Sequence, residues 1–366
     1  MFSAKKILFI ALFIAGIGIL SIYSSTYQRE GALGLVTYKR QIVWTLLGAI
    51  FFIIMSNVNY RRFWDWTYFL YVLALLLLSL VFILGIVRLG AQRWLKFYGF
   101  NFQPSELVKL IVLIFLARYF SVKSVDDVSM AVSSFGISRA VILPFIFVAI
   151  PMGLVFLQPD LGTATTIFFI FLSLLYLSQA RLRYIVILLS IIILSLPIFW
   201  HFLRDYQKDR LQVFLNPNID PLGAGYTVIQ SKIAIGSSGF FGKGWLGGTQ
   251  SQLHFLPESH MDFIFATFVE EWGFLGSTVL LCLYYLLIRL GLLIAQRTTD
   301  HFGRLLAYGI SLMLGVQACI NIAMNLGIAP VVGLPLPLMS YGGSSMLITF
   351  MALGILANID KRRAVF

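Results

Sequence analysis

Of 366 residues, 59% are hydrophobic and 11% charged, and 27 Lys+Arg against 15 Asp+Glu give a net charge of +12. Soluble domains carry roughly 25% charged and about 45–50% apolar residues, so this composition excludes a water-soluble globular protein, and its hydrophobicity excludes disorder. The basic excess is not a nucleic-acid footprint, because Lys and Arg stand singly or in pairs between apolar runs, where they orient spans and meet anionic headgroups.

A bilayer core about 30 Å thick needs roughly 20 apolar residues per helix. Runs that meet or nearly meet this length are Ile7–Ser25, Gln41–Val58, Tyr68–Val87, Ser105–Phe120, Ala140–Leu157, Gly162–Leu177, Tyr184–Phe202, Phe263–Ile288, Leu305–Leu326 and Tyr341–Asn358. The fold class expected is all-α and polytopic, with about ten transmembrane helices in a single membrane domain. The first run follows Lys5-Lys6 as a signal peptide would, but it has no small-residue cleavage pattern and reads as a retained signal anchor. Cys282 and Cys319 lie in apolar runs and read as small hydrophobes.

Alternate connections hold most of the short, span-adjacent basic residues, including Lys5, Lys6, Arg61, Arg62, Arg181, Arg183, Arg289, Arg297, Lys361, Arg362 and Arg363. The positive-inside rule then puts both termini in the cytoplasm. The opposite side receives one long loop, residues 204–262, between spans seven and eight. A connection of that length is functional or disordered, and this one is patterned. Residues 225–236 read as a short amphipathic helix on the outer membrane surface, and the glycines of residues 239–248 permit tight turns. Duplicated halves of the kind that mark many transporters are not evident.

Ionisable residues at membrane depth are expensive and each is a site candidate. Span four opens with Gln103-Pro-Ser-Glu106-Leu-Val-Lys109, which places Glu106 and Lys109 on one face, either as a structural ion pair or as the lining of a polar cavity. Asp262 stands just before span eight, near His260 and Lys243, as a helix cap or as a functional carboxylate at headgroup height. Glu270 lies about two turns deeper, nearer the Asp262 face than Glu271 does. The spacing of His254, His260 and Asp262 matches no zinc pattern. Gln317, Asn321 and Asn325 form a polar stripe on span nine, read as interhelical packing with the small residues Gly342-Gly-Ser-Ser345. Asp160, between spans five and six, reads as a cap for span six in preference to a substrate contact. Arg93, Lys96, Arg210, Lys232 and Lys243 make an outer basic set suited to a polyanionic lipid headgroup such as a pyrophosphate. From the residues alone, an enzyme acting on a lipid-linked substrate and a transporter both remain open.

Several long motifs resemble one family. They are Gly-Ala-Gln-Arg93-Trp, Phe-Gln103-Pro-Ser-Glu106-Leu-Val-Lys109, Gln158-Pro-Asp160-Leu-Gly-Thr163, Asp220-Pro-Leu-Gly-Ala-Gly-Tyr226, Gly247-Gly-Thr-Gln-Ser-Gln252, His260-Met-Asp262-Phe-Ile-Phe265 and Pro335-Leu-Pro-Leu-Met-Ser-Tyr-Gly-Gly-Ser344. In this order they resemble the shape, elongation, division and sporulation (SEDS) proteins along almost the whole chain. The short N-terminus and the Gly-Thr-Gln-Ser-Gln stretch are more similar to the elongation branch, RodA, than to the division branch, FtsW. Ser238 stands where relatives usually have a second glycine.

The resemblance implies a peptidoglycan glycosyltransferase of the bacterial inner membrane that polymerises lipid II at the extracytoplasmic face during elongation and rod-shape maintenance. It implies work beside a class B penicillin-binding protein within the elongation machinery. Asp262 would be the general base and a ligand for a divalent cation, Mg²⁺ or Mn²⁺. Arg93, Lys96, Gln103, Glu106, Lys109, Arg210, Lys232, Lys243, His260 and Glu270 would contact substrate, with Glu106 and Lys109 alternatively transmitting activation by the partner. The rival readings are a lipid II flippase, a scaffold that only positions the penicillin-binding protein, and a septal relative.

Overall fold

The computed structural model describes residues 2–27, 32–88, 91–97, 100–125, 138–178, 181–202, 205–223 and 225–362. Arg204 and Arg363 lie outside the described residues. The chain is mostly helical, and each of the ten apolar runs forms a helix. These are α1 (Phe2–Thr26), α2 (Ala32–Asn57), α3 (Arg62–Leu84), α4 (Pro104–Val125), α5 (Leu143–Leu157, entered through a wide turn at Ser138–Ile142), α6 (Leu161–Leu177) and α7 (Leu182–Phe202). After the short helices α8 (Asp205–Leu215), α9 (Tyr226–Gly236) and α10 (Thr249–Gln252) come α11 (Ile264–Arg297), α12 (His301–Asn325) and α13 (Gly343–Arg362). Among the described residues, seven of these helices are long and apolar enough to cross a membrane.

The helices begin and end where local chemistry allows. Pro104 opens α4 at a position where its missing N–H costs nothing. Asp160 caps α6 by accepting from Thr163 N at 3.2 Å, and Asp300 caps α12 by accepting from Gly303 N at 2.8 Å. Lys361 and Arg362 occupy the last turn of α13, where cations complement the helix dipole.

α13 sits at the centre of the bundle, with 78% of its apolar window buried, against 22% for α2. It packs on α1, α2, α4 and α12, while α12 also meets α4, α6 and α11. α4 is buried from Val108 to Ala117, which is why it carries Glu106 and Lys109 inside protein rather than toward lipid.

Two parts depart from the expected pattern. The connection between α3 and α4 is an antiparallel three-stranded sheet, β1 (Ile86–Arg88), β2 (Ala91–Phe97) and β3 (Phe100–Phe102), in the order β1-β2-β3. Side chains alternate across a strand, so Arg93 shares the face of the buried Ala91 and Leu95, while Lys96 points away and is exposed. The long loop is itself folded, and α9 does not merely lie on the membrane. Its Val228, Ser231 and Ala234 are buried against α11 and α12, and the Ser231 hydroxyl donates to Asn325 O at 2.7 Å.

Candidate active site

The segment before α11 is held almost entirely through its backbone. Asn321 and Asn325 on α12 each donate an amide hydrogen bond to Asp262 O, at 2.9 and 3.0 Å. Ser340 Oγ donates to Met261 O at 2.7 Å, and Tyr341 N donates to His260 O at 3.0 Å. Asn325 Oδ1 then accepts from Ala266 N at 3.1 Å, satisfying one of the orphan donors of the first turn of α11. The polar stripe expected to pack helices together therefore fixes the main chain that carries Asp262. With its backbone clamped, the side chain of Asp262 is left free to act.

The Asp262 carboxylate is half-buried and faces the 330–338 segment, where Gly333 has φ +69° and comes so near that a Cβ there would lie 3.4 Å from Oδ2. Burial, together with the charges of Glu258 and Asp160, pushes the carboxyl up to about 6, against the opposing pull of Arg210 and Arg93. Arg210 on α8 donates to Val331 O at 3.1 Å and lines a groove with Phe214, Val228, Pro330 and Val331. Arg93 comes from the sheet. Its guanidinium donates to Gln158 O at 3.1 Å and to Pro159 O, and lies 3.9 Å from Asp160. A carboxylate raised toward neutrality and drawn on by two guanidinium groups is equipped to take a proton beside an anion.

Asp160 anchors that arrangement. It is 1% exposed and its Oδ2 accepts from Gln103 Nε2 at 3.0 Å, Ser105 Oγ at 3.0 Å and Thr163 Oγ1 at 2.9 Å. It is thus the expected cap, and also the counter-charge that fixes Arg93. Gln103 belongs to this network. Sequence reasoning missed that Asp160 and Glu258 both act on Asp262, since Asp160 lies far away in the chain and Glu258 on the other side of a turn.

The remaining candidates separate. Glu106 and Lys109 pair at 2.8 Å, 3% and 1% exposed, and satisfy each other. Lys243 lies 2.7 Å from Glu270 Oε1, so these two serve one another within the loop–helix junction instead of joining Asp262. The Lys232 side chain runs along Gly327, and Lys96 is on the outer face of β2. The His260 ring packs on Tyr341, with centroids 5.8 Å apart.

Helices gathered around α13, with a carboxylate on a clamped backbone under the pull of Arg93 and Arg210 where a folded loop meets the bundle, define a polytopic membrane protein with an ionisable site at that junction. The chain belongs to the FtsW/RodA/SpoVE family of cell cycle proteins, whose family model matches residues 5–364. It is 42% identical over 345 residues to the peptidoglycan glycosyltransferase MrdB of Escherichia coli K12, covering 94% of this chain and 90% of that one. It is 36% identical to a probable peptidoglycan glycosyltransferase FtsW of Geobacter metallireducens, covering 97% and 94%. Among solved structures, a chain from a peptidoglycan synthase complex, studied for how it coordinates polymerization and crosslinking, superimposes with a TM-score of 0.80 at 32% identity over 98% of both chains. The rod shape determining protein RodA of Thermus thermophilus matches with a TM-score of 0.71 at 28% identity, over 98% of this chain and 96% of that one.

Proposed function

We propose that this chain is a peptidoglycan glycosyltransferase that polymerises lipid II at the extracytoplasmic face of the bacterial inner membrane, serving cell elongation. The observation that carries the reading is Asp262, whose main chain Asn321 and Asn325 hold and whose carboxyl burial pushes up to about 6 against the pull of Arg210 and Arg93. The higher identity to MrdB than to FtsW supports the elongation branch over the septal one.

In the reaction, a hydroxyl of the acceptor sugar attacks the anomeric carbon of the donor. The new glycosidic C–O bond forms as the bond to pyrophosphate breaks. Asp262 takes the hydroxyl proton as general base, and the bonding pair leaves on the pyrophosphate, whose charge Arg93 and Arg210 offset. A base with a raised pKa accepts the proton more readily at neutral pH than an ordinary aspartate. Asp160 acts at one remove by keeping Arg93 in place.

Asp262 and Glu258 feel each other's charge, and two carboxylates shared with substrate phosphates suit Mg²⁺ or Mn²⁺. When bound there, such an ion supplies positive charge to the leaving group. A class B penicillin-binding protein is the partner this reading calls for, in keeping with the synthase complex the chain resembles. Cytoplasmic termini and the outward-facing 204–262 loop complete the proposed topology, resting on the basic residues that flank the spans.

The test is polymerisation of lipid II by the purified protein with its penicillin-binding partner, comparing wild type with Asp262→Asn after both are shown to fold and to bind the partner. Glycan strands from wild type alone support the reading. Equal activity removes Asp262 as the base. Absence of product from either, with lipid II transport in vesicles intact, replaces the enzyme with a flippase.

A further inference from the structure

Glu270 and Glu271, adjacent on α11, are 0% and 1% exposed, and the chemistry proposed for Asp262 uses neither. One oxygen of each is accounted for. Glu270 Oε1 accepts from Lys243 Nζ at 2.7 Å, Thr249 Oγ1 at 3.1 Å and Gln250 N at 3.0 Å, and Glu271 Oε1 accepts from the Ser24 hydroxyl of α1. Each Oε2 is buried without a hydrogen-bond partner.

Gln252, 6% exposed, stands at the same junction. Its Nε2 donates to Ser24 O at 2.9 Å and to Ser24 Oγ at 3.0 Å, the hydroxyl that meets Glu271. Its Oε1 is left buried and unpartnered, as is Gln250 Oε1. The Leu246 N–H and the Gln252 amide both face the Glu271 carboxylate, yet no donor reaches Oε2. Buried acceptors in this condition are costly, and more so in a membrane protein, where bulk water is remote.

Charge decides what would satisfy them. Lys243 pairs with Glu270 alone, so an ionised Glu271 leaves the junction with one negative charge in excess. A single proton serves at most two of these oxygens and leaves Gln252 Oε1 unsatisfied. Water supplies donors but no charge. A metal cation supplies charge and several bonds at once, and a donor set of carboxylate, amide carbonyl and hydroxyl oxygens selects a hard one. We propose that Glu270, Glu271, Gln252 and Ser24 bind a hard metal cation that ties α1 and α10 to α11. The site is separate from Asp262 and does not depend on the reaction assigned to it.

The test uses the full-length protein in lipid nanodiscs. Its thermal unfolding midpoint is titrated with Na⁺, K⁺, Mg²⁺, Ca²⁺ or Mn²⁺ chloride against choline chloride at equal ionic strength. One of these metals should raise the midpoint saturably, and its identity tells a monovalent occupant from a divalent one. Glu271→Gln should raise the half-saturating concentration at least tenfold, and Gln252→Leu should do the same if Glu271→Gln fails to fold. Asp262→Asn should leave it unchanged. No metal exceeding choline overturns the proposal. So does a saturable shift lost in Asp262→Asn and kept in Glu271→Gln, which puts the ion at the other site. A midpoint that falls with rising pH in every salt, and loses that dependence in Glu271→Gln, makes the occupant a proton and also overturns it.

Discussion

Gly242 and Gly273 meet backbone to backbone, at φ +80° and +65°, so closely that a Cβ on either would strike the other's segment. Gly273 breaks α11, and its ψ of −160° puts it in a region that glycine alone occupies readily. The glycine loop fills the break. Lys243 N and Gly244 N donate to Glu270 O and Glu271 O at 2.9 and 3.0 Å, while Gly239 O and Phe240 O accept from Phe274 N and Leu275 N at 3.1 and 3.0 Å. Backbone groups freed at membrane depth must find partners within the protein, and here a loop supplies them on both sides of the break. This joint also delivers Lys243 to Glu270.

Gly273→Ala should therefore be among the most destabilising small substitutions in the chain. Strain at such a backbone position costs about 1–3 kcal/mol, and the collision with Gly242 adds to it. A lower thermal midpoint in nanodiscs is expected, with faster proteolysis between residues 239 and 248. Glycine-to-alanine at Gly16, where a Cβ meets nothing within 4 Å, should leave both unchanged.

The titration of Asp262 gives a pH profile. A base must be unprotonated, so polymerisation should fall about tenfold per pH unit below an apparent pKa of about 6 and level off above pH 7. Stability runs the other way. The folded carboxyl holds its proton above the ordinary aspartate value of 3.8, so its contribution to stability is full below 3.8 and is lost as pH rises through about 6. Asp262→Asn should be inactive at pH 8 yet at least as stable as wild type there, measured by thermal unfolding beside the activity assay. A variant markedly less stable at pH 8 would show that the carboxylate is structural.

Much of this was legible in the sequence. Apolar length located the ten long helices among the described residues, and the spacing of Glu106 and Lys109 foretold their pairing. The cap role of Asp160 followed from its place before an apolar run. What stayed hidden depends on contacts between distant segments. Alternation within β2 sends Arg93 inward and Lys96 outward, but a three-stranded sheet bounded by apolar helices gives little periodic signal. Lys243 looked like one more outer cation because nothing local announces that Gly273 breaks α11 and admits the loop. The asparagine stripe was visible, but its partner, a carbonyl 59 and 63 residues away, was not.

The Glu106–Lys109 pair invites a double-mutant cycle. Removing one partner leaves a buried charge unpaired, a loss of about 3–5 kcal/mol, so Glu106→Gln or Lys109→Met alone should unfold early. The double variant should recover most of that loss. Its activity then separates the two readings: near wild-type polymerisation assigns the pair to packing, and a stable but inactive double variant assigns it to the substrate cavity or to activation by the partner.

Asn325 offers the sharpest test of how the site is built. Its Nδ2 donates to Asp262 O at 3.0 Å and to Asn321 O at 2.8 Å, and its Oδ1 accepts from Ala266 N at 3.1 Å. Asn325→Asp keeps an acceptor for Ala266 but loses the donor to Asp262 O, whereas Asn325→Ala loses both. Neither change touches the groups proposed to bind pyrophosphate. If the asparagine positions the base, kcat should fall on the order of tenfold to a hundredfold in both variants, while KM for lipid II stays within about twofold, since uniform binding is untouched. The apparent pKa of the pH profile should also move, because a displaced carboxylate feels Glu258 and Arg210 differently. A purely structural asparagine would instead lower the thermal midpoint and the amount of active enzyme, with kcat per folded molecule, KM and the pH profile unchanged.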